Sequence, residues 1–260
     1  MDVWVITVVG LIGLLVGSFL NVVIYRVPRG ESIVSPGSRC TNCGHELTWF
    51  ENVPVIAWIA LRARCRSCKS AISVRYPLVE IATGALFALA AARIDRWVEL
   101  AAYLVAFAGL LALSAIDIDV QRVPVAVLYP TLGATAALLA IAAGVDDGWD
   151  DGARAIVGAA IGFALLRLVH LASPRGMGYG DVRLAILCGA VLGWHGLTYV
   201  IVGLYSAFVL GAVVGVILIA VGRGRFGKAI PFAPYLAVAA IYVSLYGEPL
   251  ARATRKLWGD

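Results

Sequence analysis

The sequence predicts an all-α polytopic membrane protein of about eight transmembrane helices, with a small cysteine-rich domain on the cytoplasmic side after the first helix. Its residues are 61% hydrophobic and only 14% charged, whereas a soluble domain is about half apolar and about a quarter charged. Long runs contain no Asp, Glu, Lys or Arg. The longest polar stretch contains two Cys-x-x-Cys pairs and many basic residues.

The uncharged runs predict the helices, because a helix needs roughly 20 apolar residues to cross the hydrocarbon core and lipid cannot satisfy open backbone groups. One run, Leu184–Gly222, is too long for a single span, and Gly193–Gly196 offers a turn inside it, so we expect it to cross twice. The other predicted spans are Val3–Tyr25, Pro77–Ala92, Trp97–Ile116, Val123–Gly144, Gly152–Ala172 and Ala229–Gly247.

The first run is interpreted as a retained span and not as a cleaved signal peptide. Asp2 stands where a signal peptide has basic residues, the apolar run is longer than a signal-peptide core, and no small-residue cleavage site follows it. The predicted organisation is a first transmembrane helix at 1–25, a cytoplasmic cysteine-rich domain at 26–76 and a membrane-embedded domain at 77–260.

Basic residues predict the orientation. The net charge of +5 could indicate nucleic-acid binding, but the bases concentrate in Arg26–Tyr76, and the acidic cluster Asp146–Asp151 lies in a different loop. Loops rich in Lys and Arg stay in the cytoplasm, so the distribution favours topology over nucleic acid as its explanation. Arg175 and Arg183 precede the double-crossing run and Arg223–Lys228 follow it, which puts both its ends inside and both chain termini outside.

The two cysteine pairs predict a structural zinc site. Cys40 and Cys43 are separated from Cys65 and Cys68 by 21 residues, slightly more than the usual spacing of paired zinc knuckles. Four thiolates suit tetrahedral zinc and leave no open position for catalysis. A redox pair or two disulfides are the alternatives, although a reducing cytoplasm disfavours disulfides. Cys188, in an apolar run, is interpreted as a buried small hydrophobic side chain.

Three aspartates lie at the ends of spans on the predicted cytoplasmic face. Asp117 and Asp119 follow one span, and Asp181 follows Gly176-Met-Gly-Tyr-Gly180. Ionisable residues there are costly and mark candidate functional sites, although solvated loop ends are the plainer alternative. Two carboxyl groups brought close cannot both ionise easily, so one can donate a proton while the other activates water, as in aspartic proteases.

Three glycines, Gly176, Gly178 and Gly180, remove side chains just before Asp181. They would allow unusual backbone angles and a close approach of an extended substrate.

Other catalytic chemistries have less support. None of the three histidines has a plausible Ser or Cys partner in its sequence context, and no nucleophile elbow, Walker motif or HExxH motif is present. Two alternatives of other classes stay open. An ion-coupled transporter would use the aspartates as proton carriers, but these lie at the membrane edges. A membrane-tethered zinc-ribbon binding module needs bases beside stacking aromatics, and Trp49, Phe50 and Trp58 suit packing equally well.

Several short motifs occur in order along nearly the whole chain. They are Gly17–Arg26 (GSFLNVVIYR), the two cysteine pairs, Arg75–Glu80 (RYPLVE), Asp117–Pro124 (DIDVQRVP), Gly176–Asp181 (GMGYGD) and Ile230–Ala237 (IPFAPYLA). In this combination the chain resembles the bacterial type IV prepilin peptidases, the bifunctional leader peptidase/N-methyltransferases of the GxGD aspartyl protease family.

The resemblance implies an inner-membrane enzyme of eight helices that cuts the basic leader from type IV prepilins or pseudopilins after a glycine, at the cytoplasmic face. The family's first catalytic aspartate lies seven residues before a proline, which selects Asp117, and its second closes the GxGD motif, which selects Asp181. Asp119 then becomes a neighbour that tunes the pair. Prepilins and membrane lipid are the expected partners, and nucleic acid is not.

The resemblance alone implies methylation of the new N-terminal amine with S-adenosylmethionine, since no signature for this cofactor can be read from the sequence. Glu80 and the loop between Arg26 and Arg75 are the positions suspected for it. Two residues depart from the family pattern. Arg183 replaces a common lysine and keeps the charge, whereas Ala233 replaces a common glycine and would disfavour positive φ.

Overall fold

The computed structural model describes residues 1–174, 176–222 and 231–249. These residues form nine α-helices and no β-strand, which confirms the all-α class. Six of the helices are long and apolar enough to cross a membrane, while α7 and α9 have 17 and 14 residues. The helices are α1 Val3–Arg26, α2 Ile56–Ala60, α3 Arg75–Arg93, α4 Trp97–Val120, α5 Val125–Val145, α6 Trp149–Ala172, α7 Tyr179–His195, α8 Leu197–Ala220 and α9 Ala233–Tyr246.

The long apolar run is divided where the sequence predicts. Helix α7 ends at His195 and α8 begins at Leu197, and Gly196 between them has a φ of 140° that a residue with a Cβ rarely adopts. Helix α4 continues past the predicted end at Ile116 to Val120, so Asp117 lies inside the helix. The bases that help to orient this run, Arg175 and Arg223–Lys228, lie outside the described residues.

The chain divides into two compact units, residues 1–95 and 96–260. In the first unit, α1 and α3 pack closely because small residues face each other. A Cβ on Gly13 would lie 2.8 Å from the Cα of Gly84, and one on Gly17 would lie 2.7 Å from the Cα of Glu80. Residues 30–74, called the cysteine lobe below, contain two short helical segments and two isolated β-bridges.

In the second unit, α4 and α7 supply most of the fully buried side chains. Tyr103 and Phe107 of α4 are completely buried, and the Tyr103 hydroxyl donates a 2.6 Å hydrogen bond to the carbonyl oxygen of Val191 in α7. Helices α6 and α7 approach so closely that a Cβ on Gly158 would overlap the carbonyl oxygen of Gly189. Helix α7, which begins at the GxGD motif, is therefore held along its length from two sides.

Replacement of Gly158 by leucine is expected to separate α6 from α7, because overpacking of a close contact costs about 1–3 kcal/mol. The matched control is Gly133→Leu in α5, where a new Cβ meets no atom within 4 Å. We expect a lower thermal unfolding midpoint in detergent for the Gly158 variant only. Equal midpoints for both variants would contradict the packing argument.

Candidate active site

The structure brings Asp117 and Asp181 together. Asp117 lies in the last turn of α4 and Asp181 in the first turn of α7. Their side chains are largely buried, with residue exposures of 5% and 7%, and the two carboxyl groups are near enough to interact electrostatically. Two coupled carboxyl groups in one buried site share protons as a pair.

Asp117 is held by a residue from the far end of the chain. Its Oδ2 accepts a 3.2 Å hydrogen bond from the backbone N–H of Ala233, the first residue of α9. Ala233 is completely buried and does not have a positive φ. Alanine in place of the family's glycine therefore causes no backbone strain in this chain, and a donated N–H stabilises negative charge on Asp117.

Asp181 has an oxygen without a protein partner. Its backbone N–H donates to the carbonyl oxygen of Gly178 at 3.2 Å, while its Oδ1 is buried and has no hydrogen-bond partner among the described residues. Buried polar atoms are normally paired, and an orphaned carboxyl oxygen next to a second carboxyl group is typical of a reacting site. This oxygen is suited to hold a proton or a reacting water.

Of the glycines before Asp181, Gly180 is the one whose small size matters for a contact with another segment. None of the three has a positive φ, so the expectation of unusual backbone angles was wrong. A Cβ on Gly180 would lie 2.9 Å from the Cβ of Val123, which belongs to the segment after Asp117. Only glycine at position 180 allows the start of α7 to approach the end of α4 this closely.

Substitution of Gly180 by alanine is therefore expected to separate the two aspartates and to lower the rate of any reaction that needs both, by about 10²-fold for a displacement near 1 Å. Gly176→Ala is the comparison, because the atom nearest to its new Cβ would be the movable Oγ of Ser173, at 2.7 Å, and the next nearest atoms lie at an ordinary contact distance of 3.6 Å. We expect a much smaller loss there. If both variants lost the same activity in a cleavage assay, the close approach of α7 to the end of α4 would not be what requires glycine at position 180.

His170 has a role that no sequence motif indicates. Its Nδ1 lies 2.8 Å from the carbonyl oxygen of Met177, to which a protonated Nδ1 donates, so α6 anchors the GxGD loop. The rings of His170 and Tyr179 lie 5.6 Å apart, and the Arg183 guanidinium lies 4.6 Å from the Tyr179 ring centre. Only the general enrichment of histidine near functional sites could have suggested the anchor.

Asp119 does not share the burial of the pair. It is exposed, as is Ile118 before it, while Asp117 is buried. Positions two apart on a helix face in nearly opposite directions, so Asp117 and Asp119 cannot both approach Asp181 equally.

The four cysteines of the lobe form a compact cluster whose sulfur atoms all lie within 4.8 Å of one another. Cys40 and Cys68 have their Sγ atoms 3.9 Å apart, and Cys43 and Cys65 have theirs 4.0 Å apart. Zinc bound to four thiolates at about 2.3 Å places the sulfurs about 3.8 Å apart. The cluster could therefore hold a zinc ion. Cys188 is not part of it and is completely buried in α7.

The two cysteine pairs have equivalent backbone hydrogen bonds. The Cys40 N–H donates to His45 and the Gly44 N–H donates back to Cys40, and Cys65, Lys69 and Ser70 repeat this pattern. Gly44 and Lys69 occupy the same left-handed position, with φ values of 72° and 60°. Glycine adopts this conformation freely, whereas lysine is strained there.

Lys69→Gly is accordingly expected to stabilise the cysteine lobe, and Gly44→Ala to destabilise it, each by about 1 kcal/mol. The temperature at which zinc is released from the purified protein measures both. A lower release temperature for Lys69→Gly would show that the Lys69 charge beside the thiolates outweighs its backbone strain.

Comparisons with known proteins identify the family of the chain. Residues 11–94 match the bacterial peptidase A24 N-terminal domain, and residues 104–219 match the type IV leader peptidase family. A prepilin leader peptidase/N-methyltransferase of Pseudomonas putida is 38% identical over 98% of this chain and 95% of its own length. Proteins of the same name from Myxococcus xanthus and Pseudomonas aeruginosa are 44% and 37% identical, over 82% and 93% of this chain and 63% and 90% of their own lengths. No solved structure matches. The chain therefore belongs to the type IV leader peptidase family.

Proposed function

We propose that this protein removes the basic leader from type IV prepilins or pseudopilins and then methylates the new N-terminal amine. The names of its relatives support both activities. The observation that carries the peptidase half is the burial of Asp117 beside Asp181 in one site. No such name supports a transporter or a zinc-ribbon binding module.

The two aspartates divide the work of hydrolysis. The Ala233 N–H stabilises negative charge on Asp117, so Asp117 is the base that takes a proton from the attacking water. Asp181 holds the shared proton and hydrogen-bonds the scissile carbonyl oxygen, which develops negative charge as water attacks. The proton on Asp117 then passes to the leaving amine, and the peptide bond breaks.

The prepilin enters from the membrane. Its apolar helix approaches sideways among the spans and its basic leader stays in the cytoplasm, in keeping with the Lys and Arg of the cysteine lobe on that side. The active site then faces the cytoplasm and both termini lie outside. The protein is a multi-pass protein of the bacterial inner membrane.

Two cofactors follow from this proposal. Zinc, held by the four clustered cysteines, would stabilise the fold of the lobe, as structural zinc does in small domains. S-adenosylmethionine would supply an electrophilic methyl group on a sulfonium. The chain's own residues would bind the donor, exclude water and hold the acceptor amine.

Co-expression with a prepilin that has a basic leader, glycine at −1 and phenylalanine at +1 tests both activities by intact mass. Loss of the leader with gain of one methyl group is expected. Loss of the leader alone would retain the peptidase and reject the methyltransferase. An unchanged mass with several prepilins, from protein shown to be folded, would reject the proposal.

A further inference from the structure

Three adjoining cavities lie within the first unit, around Tyr76. Their volumes are about 110, 240 and 290 Å³, and Tyr76 lines all three. We call them together the Tyr76 cleft. Its walls come from the cysteine lobe, from the end of α1 and from the beginning of α3. The largest cavity approaches the roughly 300 Å³ at which pockets for small molecules begin.

Two buried carboxylates line the smallest cavity of the Tyr76 cleft. Glu51 and Glu80 are each 7% exposed, and Glu51 also lines the largest cavity. No Lys or Arg in the described part of the chain forms an ion pair with either of them; the only ion pair of Glu51 there is a 3.4 Å contact with His45. A buried carboxylate without a strong counter-ion is costly, so the cleft favours a cationic ligand.

The hydrogen bonds of Glu51 keep it charged and use only one of its two carboxylate oxygens. The Thr48 hydroxyl and N–H donate to Oε2 at 2.6 and 2.9 Å, and these bonds hold the pKa of Glu51 below its ordinary value. No bond among the described residues reaches Oε1. Glu51 is therefore anionic at neutral pH, with Oε1 available to a ligand.

A residue with a strained backbone lines the same cavity. Val55 has a φ of 62°, which is a strained conformation for a β-branched residue. Its N–H donates a 2.8 Å hydrogen bond to Oε2 of Glu80, and both residues line the smallest cavity. Strained backbone persists at sites where a function requires its geometry. Here the strain places a lobe segment against α3 and closes one wall of the cleft.

The remaining walls supply the other groups that a methyl donor needs. Arg39 lines the two larger cavities, and its guanidinium has no ion pair among the residues that the structure describes. Tyr25 lines the same two cavities, and Trp58 lines the smallest. Aromatic rings attract cations and stack with purines. Three further charged residues line the cavities: Arg26, whose guanidinium donates to backbone carbonyl oxygens, and the exposed Glu31 and Arg66. One cleft thus combines two buried carboxyl groups, an arginine without an ion pair among the described residues and several aromatic rings.

We propose that the Tyr76 cleft binds S-adenosylmethionine. Glu51 and Glu80 face the sulfonium and the α-ammonium, Arg39 pairs with the carboxylate, and the aromatic walls take the adenine. This proposal rests on the methyltransferase half of the proposed function and gives it a site. The residues fit the donor because two buried carboxyl groups without a Lys or Arg partner suit its two positive charges, and Arg39, which has no ion pair among the described residues, suits its carboxylate.

The methyl transfer conserves atoms and charge. The neutral N-terminal amine attacks the methyl carbon with its lone pair, an N–C bond forms, and the electrons of the C–S bond return to sulfur. The product thioether, S-adenosylhomocysteine, has lost the sulfonium charge, and the methylated amine gives its extra proton to solvent. Because the carboxylates attract the sulfonium, the cleft should bind the donor more tightly than the product, by roughly 10-fold if the charge contributes about 1.4 kcal/mol.

Binding of donor and product to the full-length protein in nanodiscs tests the proposal, measured by equilibrium dialysis with labelled S-adenosylmethionine. Glu51→Gln and Glu80→Gln keep an acceptor oxygen for Thr48 and Val55 but remove the charge. We expect each to weaken donor binding about 10-fold and to reduce the preference for donor over product. Glu46→Gln is the control, an exposed residue of the same lobe that lines none of the cavities. One zinc per chain in every variant shows that the lobe is folded.

Ultraviolet crosslinking of the labelled donor gives a result that depends on no variant. Label within residues 18–80, which include every wall of the cleft, supports the proposal, whereas label confined to residues 96–249 overturns it. Donor binding that is the same in wild type, Glu51→Gln and Glu80→Gln overturns the site while product methylation keeps the proposed function. If the protein removes the leader but neither binds the donor nor methylates the product, the proposed binding site and the methyltransferase activity are both rejected, and the peptidase activity is retained.

Discussion

Asp181→Asn is expected to slow leader cleavage by at least about 10³-fold and to leave the protein inserted and folded. Asparagine fills the same volume but cannot exchange a proton, so the site loses its acid while its packing is preserved. The orphaned Oδ1 of Asp181 is the atom at which this loss acts. Cleavage of a co-expressed prepilin, followed by intact mass, measures the rate, and the thermal unfolding midpoint checks the fold.

Asp117→Asn and Asp119→Asn extend the test to the first aspartate. Asp117 is buried next to Asp181, and Asp119 is exposed. Asp117→Asn should therefore lower the rate of leader cleavage as much as Asp181→Asn does, whereas Asp119→Asn should lower it about 10-fold or less. A larger loss at Asp119 than at Asp117 would exchange their roles. Near-normal cleavage by Asp181→Asn would remove that residue from the mechanism.

Cys65→Ser is expected to release zinc and to unfold the cysteine lobe. Cys65 is the most buried of the four clustered cysteines. The lobe has little regular structure of its own, and structural zinc contributes about 10–16 kcal/mol of binding free energy in small zinc domains. Zinc per chain should fall from about one to near zero, and limited proteolysis should then cut within residues 30–74.

Cys188→Ala is the matched control for zinc loss. This cysteine is buried in α7, outside the cluster, so its replacement should leave the zinc content and the protease resistance of the lobe unchanged. A Cys65→Ser protein that keeps one zinc and resists proteolysis would contradict a four-cysteine structural site. Loss of donor binding together with zinc is also expected, because Cys40 and Cys65 line the largest cavity of the Tyr76 cleft.

Composition and spacing predict the features of this fold that depend on residues close together in the sequence. Lipid excludes charge, so the uncharged runs locate the helices. Gly196 separates α7 from α8 because glycine tolerates the backbone angle there. The spacing of the cysteines brings four sulfur atoms together, since each knuckle is a local hydrogen-bonded turn.

Contacts between distant segments could not be predicted in the same way. The Ala233 N–H that reaches Asp117 lies 116 positions away along the chain, and a backbone group has no side-chain signature. The close approach of Gly180 to Val123 depends on how α4 and α7 cross. Glu51 becomes a buried neighbour of Glu80 only when the lobe folds onto α3. Such contacts follow from packing, which no local pattern specifies.

The hydrogen bond from Ala233 to Asp117 has a consequence for biosynthesis. Ribosomes add about 5–20 residues each second, so the 116 positions between donor and acceptor correspond to a delay of roughly 6–23 s. Asp181 is added partway through that interval, and from then on the nascent chain contains both aspartates but lacks the backbone donor that α9 provides. We expect a newly made molecule to acquire activity only after its last described helix has entered the membrane. Unfinished chains would then leave membrane proteins around the translocation site uncut.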